Sequence, residues 1–439
     1  MNRTRASAAS GWAPTAAHAR AVWCGLGLAS AAVLGRRPDL LVLATPFVGA
    51  AVWAALHRPR SPLTVRQSMG HSTLSEGDAT TWRFSVADPS RGADDIAVRL
   101  RVPEWIDMQP ADGAAAASAH GDGDQVLEIG LRATRWGRHR IGPARVVASS
   151  AWAGFQWVSD SGLDARSLLT LPRTSHFDAT ASSVHRPGLV GVNRSPRQSS
   201  GTEFASIRPF QPGDRLRRIH WSRSLRTGTL HVTSTWADHD RHVVLLVEGF
   251  DDIGRSDGID GNTSSLDLTL RAAGSIAEHF LGIGDRVALV VLDNRGIHRL
   301  PAAGGARHLR RVLETLSTTD PTGRLGDTGR VPRGLTPGAL VVMLSPLANP
   351  TALERAVTMA AHGRSVVVVD CLPPDITLHF PADPLAGLAW RLRTLERARE
   401  LERAGESGVA VVQWRGPGSL DRVLRNMQHN VARRPARPS

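Results

Sequence analysis

The sequence predicts a mixed α/β chain in which a doubly wound parallel sheet follows a β-sandwich-like domain and an N-terminal hairpin of two apolar helices. Three observations lead to this prediction. Two uncharged apolar runs lie in the first 60 residues, short β-rich runs continue to residue 172, and apolar runs then alternate with segments of helical period. We therefore divide the chain into 1–60, 61–172, a connecting segment 173–235 that contains a signature, and 236–439.

The apolar runs 21–35 and 40–56 are each somewhat short of the roughly 20 residues that cross a bilayer. In a hairpin, Trp23 and Trp53 fall on the same side, at the depth where Trp concentrates in membranes. That side is also rich in arginine, which predicts that both outer ends lie inside the cell: Arg3, Arg5, Arg20, Arg58, Arg60 and Arg66. We expect a multi-pass protein of the cell membrane with its other domains in the cytoplasm. A pair of buried helices and a signal peptide cleaved near Ala29 are the alternatives.

The region that follows predicts two kinds of sheet. Strands expected at 63–69, 80–87, 96–102, 126–131 and 145–149 are short and separated by Gly, Asp and Pro, which is typical of a β-sandwich. Strands are then expected at 243–247, 286–293, 340–344, 365–372 and 409–414. Helices are expected between and after them, at 264–281, 306–316, 351–362, 384–404 and 420–429. Such alternation predicts a parallel sheet with helices on its faces.

Composition excludes several classes of enzyme. All 53 basic residues are Arg, with a net charge of +13, so the lysine of a phosphate-binding loop or a Schiff base is absent. The two cysteines, Cys24 and Cys371, are too few for a disulfide framework or a cysteine zinc site. The run 238–242 resembles a metal-binding cluster but lacks a helical His pair, and we interpret it as a solvated linker.

The segment 201–232 is the richest in information. Pro212 and Gly213 predict a tight turn, after which Asp214 is expected to cap a short helical turn at 215–221. Glu203 and Asp214 lie among six arginines, namely Arg208, Arg215, Arg217, Arg218, Arg223 and Arg226. Because arginine lowers the pKa of a neighbouring carboxylate, this pattern favours a partly buried structural ion-pair plug over acid–base catalysis.

The same segment resembles the signature of the family known as domain of unknown function 58. The pattern as it stands here comprises Gly201, Glu203, Phe204, Ile207, Arg208, Phe210, Gln211, Pro212, Gly213, Asp214, Arg218, Ile219, His220, Trp221, Arg226, Thr227, Leu230 and Val232. The family usually has Tyr, Asp and Lys at the positions of Phe210, His220 and Ser222. The candidate interaction residues are Glu203, Phe204, Arg208, Gln211, Pro212, Gly213, Asp214, Arg218, Trp221 and Arg226.

The resemblance implies that the C-terminal sheet is a von Willebrand factor A-like domain. Such domains often hold a divalent cation through Asp-x-Ser-x-Ser after the first strand, where hard oxygens suit magnesium. The corresponding residues here are Glu248, Phe250 and Asp252, and Phe250 cannot be a ligand. We therefore expect a degenerate site, with Glu248 and Asp252 as its remaining candidates, and no cofactor.

The resemblance also implies association with a MoxR-type AAA+ ATPase. We accordingly expect a membrane-anchored, non-enzymatic adaptor or assembly factor that works with this ATPase and client proteins. An Arg-rich binder of nucleic acid or anionic lipid is one alternative, and an unrecognised hydrolase is another. Nucleic acid is disfavoured because the arginines are interleaved with carboxylates and aromatic residues at stacking spacing are missing.

Overall fold

The computed structural model describes residues 11–119, 124–159, 163–175, 199–211, 214, 216–235, 242–322, 331–332, 334–335, 339–376, 384–416 and 418–419. The chain divides into two compact units. The first comprises Met1–Arg173 together with Asp257–Gly261, and the second comprises Thr174–Ser256 and Asn262–Ser439. The expected helix at 420–429 and the run 238–241 lie outside the described residues, as do the side chains of Glu203 and Phe204.

The first unit begins with two apolar helices, α1 (Ala16–Leu34) and α2 (Asp39–Leu56). Thr15 caps α1, since its side chain accepts a hydrogen bond from the backbone N–H of His18. The helices pack closely at Gly25, where a Cβ would lie 2.8 Å from Cγ2 of Val48. Most of their apolar surface is exposed, and by length and composition both helices could cross a membrane.

Twelve short strands form the rest of this unit. They are β1 (Ala13–Pro14), β2 (Thr64–Met69), β3 (Thr73–Ser75), β4 (Ala79–Ala87), β5 (Asp95–Arg99), β6 (Ile106–Gln109), β7 (Ala114–Ser118), β8 (Gln125–Ala133), β9 (Gly137–Ile141), β10 (Arg145–Ser150), β11 (Phe155–Val158) and β12 (Arg166–Leu171). Their sheet orders are β1-β11-β10-β5-β7, β2-β4-β8-β6 and β3-β12-β9. Alternate residues of these sheets, such as Phe84, Ile96 and Leu168, are buried in one hydrophobic core. The same core contains Trp12 and Ala54.

The second unit opens with a two-stranded hairpin and continues as a six-stranded sheet. The hairpin consists of β13 (Ser199–Pro209), the 3₁₀ turn Leu216–Arg218, α3 (Trp221–Thr227) and β14 (His231–Thr235). The sheet consists of β15 (His242–Gly249), β16 (Arg286–Asp293), β17 (Gly296–Ala303), β18 (Leu340–Ser345), β19 (Ser365–Asp370) and β20 (Ala410–Gln413). The helices among them are α4 (Ser265–Gly282), α5 (Ala306–Leu316), α6 (Pro350–Ala361) and α7 (Pro384–Glu406).

The sheet order is β17-β16-β15-β18-β19-β20, and every neighbouring pair is parallel except β16–β17. Apart from their ends, the central strands are apolar because both of their faces are covered. On one face of β15, Val244 and Leu246 pack in a core with residues of α6. Leu245, which points to the other face, is also buried, and α4 packs against the same strand. A parallel sheet with helices on both faces is thus present, as the alternation of apolar runs predicts.

Two local features differ from the expectations. The helical turn expected at 215–221 is a 3₁₀ turn followed by α3, which begins at Trp221 and is capped by His220 rather than Asp214. The antiparallel edge strand β17 was not expected, because its sequence contains Pro301, His298 and Arg299 instead of an apolar run.

Candidate functional site

The signature hairpin is held in shape by one ion pair at its turn. Nη1 and Nη2 of Arg208 donate to the two carboxylate oxygens of Asp214 at 2.8 and 2.7 Å. The carboxylate also accepts the backbone N–H of Gln211 at 2.9 Å. The guanidinium holds the pKa of Asp214 below its ordinary value, mainly through this hydrogen bonding. A two-pronged contact of this kind fixes the turn between β13 and α3 geometrically.

A second set of contacts ties α3 to β14. The side chain of Ser224 is buried and accepts the backbone N–H of His231 at 2.9 Å. Nδ1 of His220 accepts the N–H of Arg223 at 3.2 Å, which is the role of a helix N-cap. Asp, which the family usually has at this position, is equally suited to that role. The helix ends at Gly228, whose φ of 70° places it in the left-handed region.

Ser224 is the buried residue of α3, and the other residues of this short helix are exposed. Trp221 and Leu225 are one helical turn apart and are 62% and 82% exposed. We call the exposed residues of α3 and its flanking segments, namely Leu216, Trp221, Arg223, Leu225, Arg226 and Leu230, the signature surface. Exposed large apolar side chains that share a segment with charged ones are found at protein–protein contacts.

The sequence predicts a partly buried ion-pair plug in this segment. Arg208 and Asp214 pair with side chains that are 26% and 20% exposed, whereas Arg226 and Trp221 are exposed. Arg218 is half-buried and Gln211 exposed, while Pro212 and Gly213 lie outside the described residues. Glu203 and Phe204 lie on β13, where Phe204 pairs with Thr235. The signature therefore presents a surface supported by an ion pair.

The second candidate site is the edge at which the parallel strands end. Glu248, Asp293, Ser345 and Asp370 stand at the carboxyl ends of β15, β16, β18 and β19, and all four are buried. Ligands of doubly wound sheets commonly bind at this edge. A small cavity is present there, lined by Glu248, Phe250, Asp251, Ser345, Pro346, Ala348 and Asn349.

An internal cation occupies the position next to Glu248. Arg355 of α6 is 1% exposed, and its guanidinium forms an ion pair with the Glu248 carboxylate. Burial lowers the pKa of Arg355 to about 10, so it remains charged at neutral pH. The carboxylate that would bind a metal ion is thus already neutralised from within the fold.

Asp252, the other candidate ligand, serves the backbone. Its Oδ1 accepts the N–H of Leu266 at 3.3 Å, which holds the loop after β15 against the first turn of α4. Among the described residues there is no cluster of three or more His, Cys, Asp or Glu side chains able to hold a metal ion. The degenerate metal site after β15 stays a prediction. Its two candidate ligands make separate contacts, Glu248 with Arg355 and Asp252 with the backbone of α4.

The remaining carboxylates of the edge also have internal partners. Asp293 accepts the N–H groups of Arg295 and Gly296 at 2.9 and 3.1 Å, forming the turn into β17. Asp370 pairs with Arg397 of α7. Burial raises the pKa of Asp370, and the nearby guanidinium opposes that shift.

Nucleophilic chemistry is disfavoured at this edge. Cys371, next to Asp370, is fully buried, and burial raises the pKa of its thiol well above the usual range. A thiol without its thiolate form is a poor nucleophile. Cys371 is therefore a packed core residue.

Sequence reasoning missed the two arginines that fill the edge. Arg355 lies on the buried face of α6 together with Ala352, Ala356 and Met359. Two features of the sequence could have indicated these ion pairs. One is an arginine within the apolar stripe of α6, and the other is Asp370 at the end of an apolar strand. A long cation on an otherwise apolar face indicates a buried partner.

The fold and the two sites define the chain's C-terminal part as a doubly wound α/β domain whose strand-end charges are paired internally. Residues 206–380 match the model of the family described as protein of unknown function DUF58. The family resemblance of the signature is confirmed.

The curated relatives are uncharacterized proteins of Mycobacterium tuberculosis and Mycobacterium bovis. Each is 28% identical over 188 residues, which is 40% of this chain and 57% of the relative. A solved structure of the cupredoxin domain of amoB from Nitrosocaldus yellowstonii is similar over 26% of this chain and 88% of its own, at 10% identity. Its TM-score of 0.17 is too low to indicate a shared fold.

Proposed function

We propose that this protein is a membrane-anchored, non-enzymatic interaction module that works as an adaptor or assembly factor with a MoxR-type AAA+ ATPase. The helices α1 and α2 anchor it in the cell membrane, and the remaining domains lie in the cytoplasm. The first unit's strands form a β-sandwich-like domain, and the six-stranded sheet is von Willebrand factor A-like. Client proteins bind as further partners.

The observation that supports an interaction role most strongly is the exposure of the signature surface. Trp221 and Leu225 lie open to solvent, and both fall within the residues that match the family model. Trp and Arg are the residues that most often dominate the energy of protein contacts. The hydrogen bonds of Asp214 and Ser224 support the surface from behind, so little ordering is needed on binding.

The neutralised sheet edge supports a binding role without catalysis. Glu248 is paired with the buried Arg355 and Asp370 with the mostly buried Arg397, and the neighbouring thiol is inert. Such pairs hold the strand ends in fixed positions but leave no group poised for proton transfer or nucleophilic attack.

The test is a binding titration between the purified full chain in detergent and a MoxR-type ATPase of the same organism. Replacing Trp221 or Leu225 with Ser should weaken binding by at least tenfold, about 1.4 kcal/mol, because each side chain loses a buried apolar contact. The matched control is Ile297→Ser, another aliphatic residue that is 52% exposed in the same unit. Equal affinity of all four proteins would show that the signature surface does not bind the ATPase.

A further inference from the structure

The turn between β10 and β11 has an unusual backbone. Ala151, Trp152 and Ala153 are three consecutive non-glycine residues with φ values of 53°, 53° and 60°. Side chains disfavour this left-handed region because Cβ approaches the carbonyl oxygen. Such conformations persist where the surrounding structure fixes them, and they often mark functional positions.

The surroundings fix this turn against the base of the helical hairpin. The N–H of Trp152 donates to Oδ2 of Asp94 at 3.0 Å, and the N–H of Thr15, at the start of α1, donates to the carbonyl of Gly154 at 3.0 Å. A Cβ on Gly154 would lie 2.7 Å from Cβ of Ala54, so the turn packs directly on α2.

The result is that Trp152 is held beside the last turn of α2. Its ring stacks on that of Trp53 with centroids 4.2 Å apart and an interplanar angle of 21°. Trp152 nevertheless stays 75% exposed. Trp53 is three residues before the end of α2, a distance of about 4.5 Å along the helix axis. Trp152, stacked on Trp53, therefore lies beside α2 at about that distance from its end.

Exposed apolar side chains and a cation come from the same two chain segments as the Trp53–Trp152 stack. Val52 and Leu56 of α2 are 52% and 78% exposed next to this stack. Arg58, which follows α2, is exposed, lies 5.3 Å from the centroid of the Phe155 ring and donates to the carbonyl of Trp12. Tryptophan beside arginine, at the end of an apolar helix, matches the chemistry of the boundary between acyl chains and anionic headgroups.

We propose that the turn Ala151–Gly154 is a second membrane-binding element, through which the β-rich part of the first unit inserts Trp152 into the headgroup–acyl boundary beside α2. This inference rests on the proposed membrane location of α1 and α2. The occupant of the surface is the bilayer itself, because a side chain fixed alongside a spanning helix shares that helix's depth.

The test measures depth with spin labels on the full chain in nanodiscs that contain phosphatidylglycerol. Cys24 is exposed on α1 and takes a label directly, whereas Cys371 is buried and unreactive. Two further proteins carry Cys24→Ser with either Ala153→Cys or Ser72→Cys. Ala153 is exposed next to Trp152. Ser72 is also exposed and lies near the first residues of β4. The other end of β4 leads to the loop in which Gly92 packs against Pro59, shortly after α2.

Accessibility to oxygen, which concentrates in lipid, is compared with accessibility to a water-soluble nickel chelate. We expect the label at 153 to favour oxygen, at a depth between those at Cys24 and at position 72, and Trp152→Ala to shift it toward water. A lipid-buried label at Cys24 with a water-exposed label at 153 would overturn this inference but leave the proposed membrane location of α1 and α2 standing.

Two other outcomes are equally decisive. A water-exposed label at Cys24 would overturn the proposed membrane location and the inference with it. A label at 153 that is shielded from both reagents would show that protein covers the turn, which also contradicts the inference.

Discussion

Single residues set the charge balance at the carboxyl edge of the parallel sheet. Replacing Arg355 with Met leaves the buried Glu248 carboxylate without its ion-pair partner. We expect a loss of about 3–5 kcal/mol in the free energy of unfolding, the usual cost of stranding a buried charge. Chemical denaturation of the detergent-solubilised chain measures it.

The control for Arg355 is Arg310→Met, which removes an exposed ion pair with Glu314 one turn away on α5. Such surface pairs contribute less than about 1 kcal/mol. The double variant Glu248→Gln with Arg355→Met should lose less than the single Arg355 variant, since no charge is then stranded. A single variant as stable as the wild type would show that the pair contributes nothing.

The pH dependence of the signature hairpin follows from Asp214. Arg208 lowers the pKa of this carboxyl in the folded chain, so its contribution to stability is present above the ordinary Asp value of about 3.9. That contribution is lost as the pH falls through the lowered folded value. The Tm of Asp214→Asn should therefore lie below that of the wild type at pH 7, and the difference should shrink toward zero at acidic pH.

The companion variant for this pH series is Asp375→Asn, an exposed carboxylate outside the hairpin. Its Tm should follow that of the wild type at every pH. A Tm difference for Asp214→Asn that persists unchanged at the acid end would mean that the ion pair is not its source.

At the scale of elements, membrane insertion of the apolar hairpin should depend on the exposed apolar side chains of its helices. Leu43 and Val42 of α2 are 58% and 73% exposed. Replacing both with Arg places two charges in the proposed span, which opposes insertion by several kcal/mol. The variant should leave the carbonate-resistant membrane fraction, whereas Leu43→Ala with Val42→Ala should stay in it. Equal fractionation of the two would contradict a transmembrane α2.

The long, strongly patterned elements were predictable from sequence, and the short ones were not. The strand at 286–293 and the helix at 306–316 match β16 and α5, because apolar runs and helical stripes are direct consequences of burial. Strands such as β3 and β6 have only three and four residues, too few to show a period. Their positions depend on pairing with distant strands, which no local pattern encodes.

The candidate site was predictable only in part. The ion pair of Asp214 with an arginine followed from their proximity in sequence, but the outward direction of Trp221 depends on Ser224 facing β14. The Glu248–Arg355 pair joins residues 107 positions apart, and only the packing of α6 on the sheet brings them together. Periodicity can place a residue on a buried face but cannot name its partner.

At the scale of the whole molecule, the proposed function combines a membrane hairpin with a cytoplasmic surface for an ATPase. The two features lie in different compact units, the hairpin in the first and the signature surface in the second. The match to the curated relatives covers 57% of their length.

The most direct test is site-specific photo-crosslinking in intact cells that produce the full chain and the MoxR-type ATPase. A photoreactive amino acid replaces Trp221 in one strain and Ile297, exposed in the same unit, in another. The account predicts that membranes of the first strain yield an adduct with the ATPase, identified by mass spectrometry, and that membranes of the second do not. Adducts at Trp221 that contain only lipid or nucleic acid, or ATPase adducts of equal yield at both positions, would contradict it.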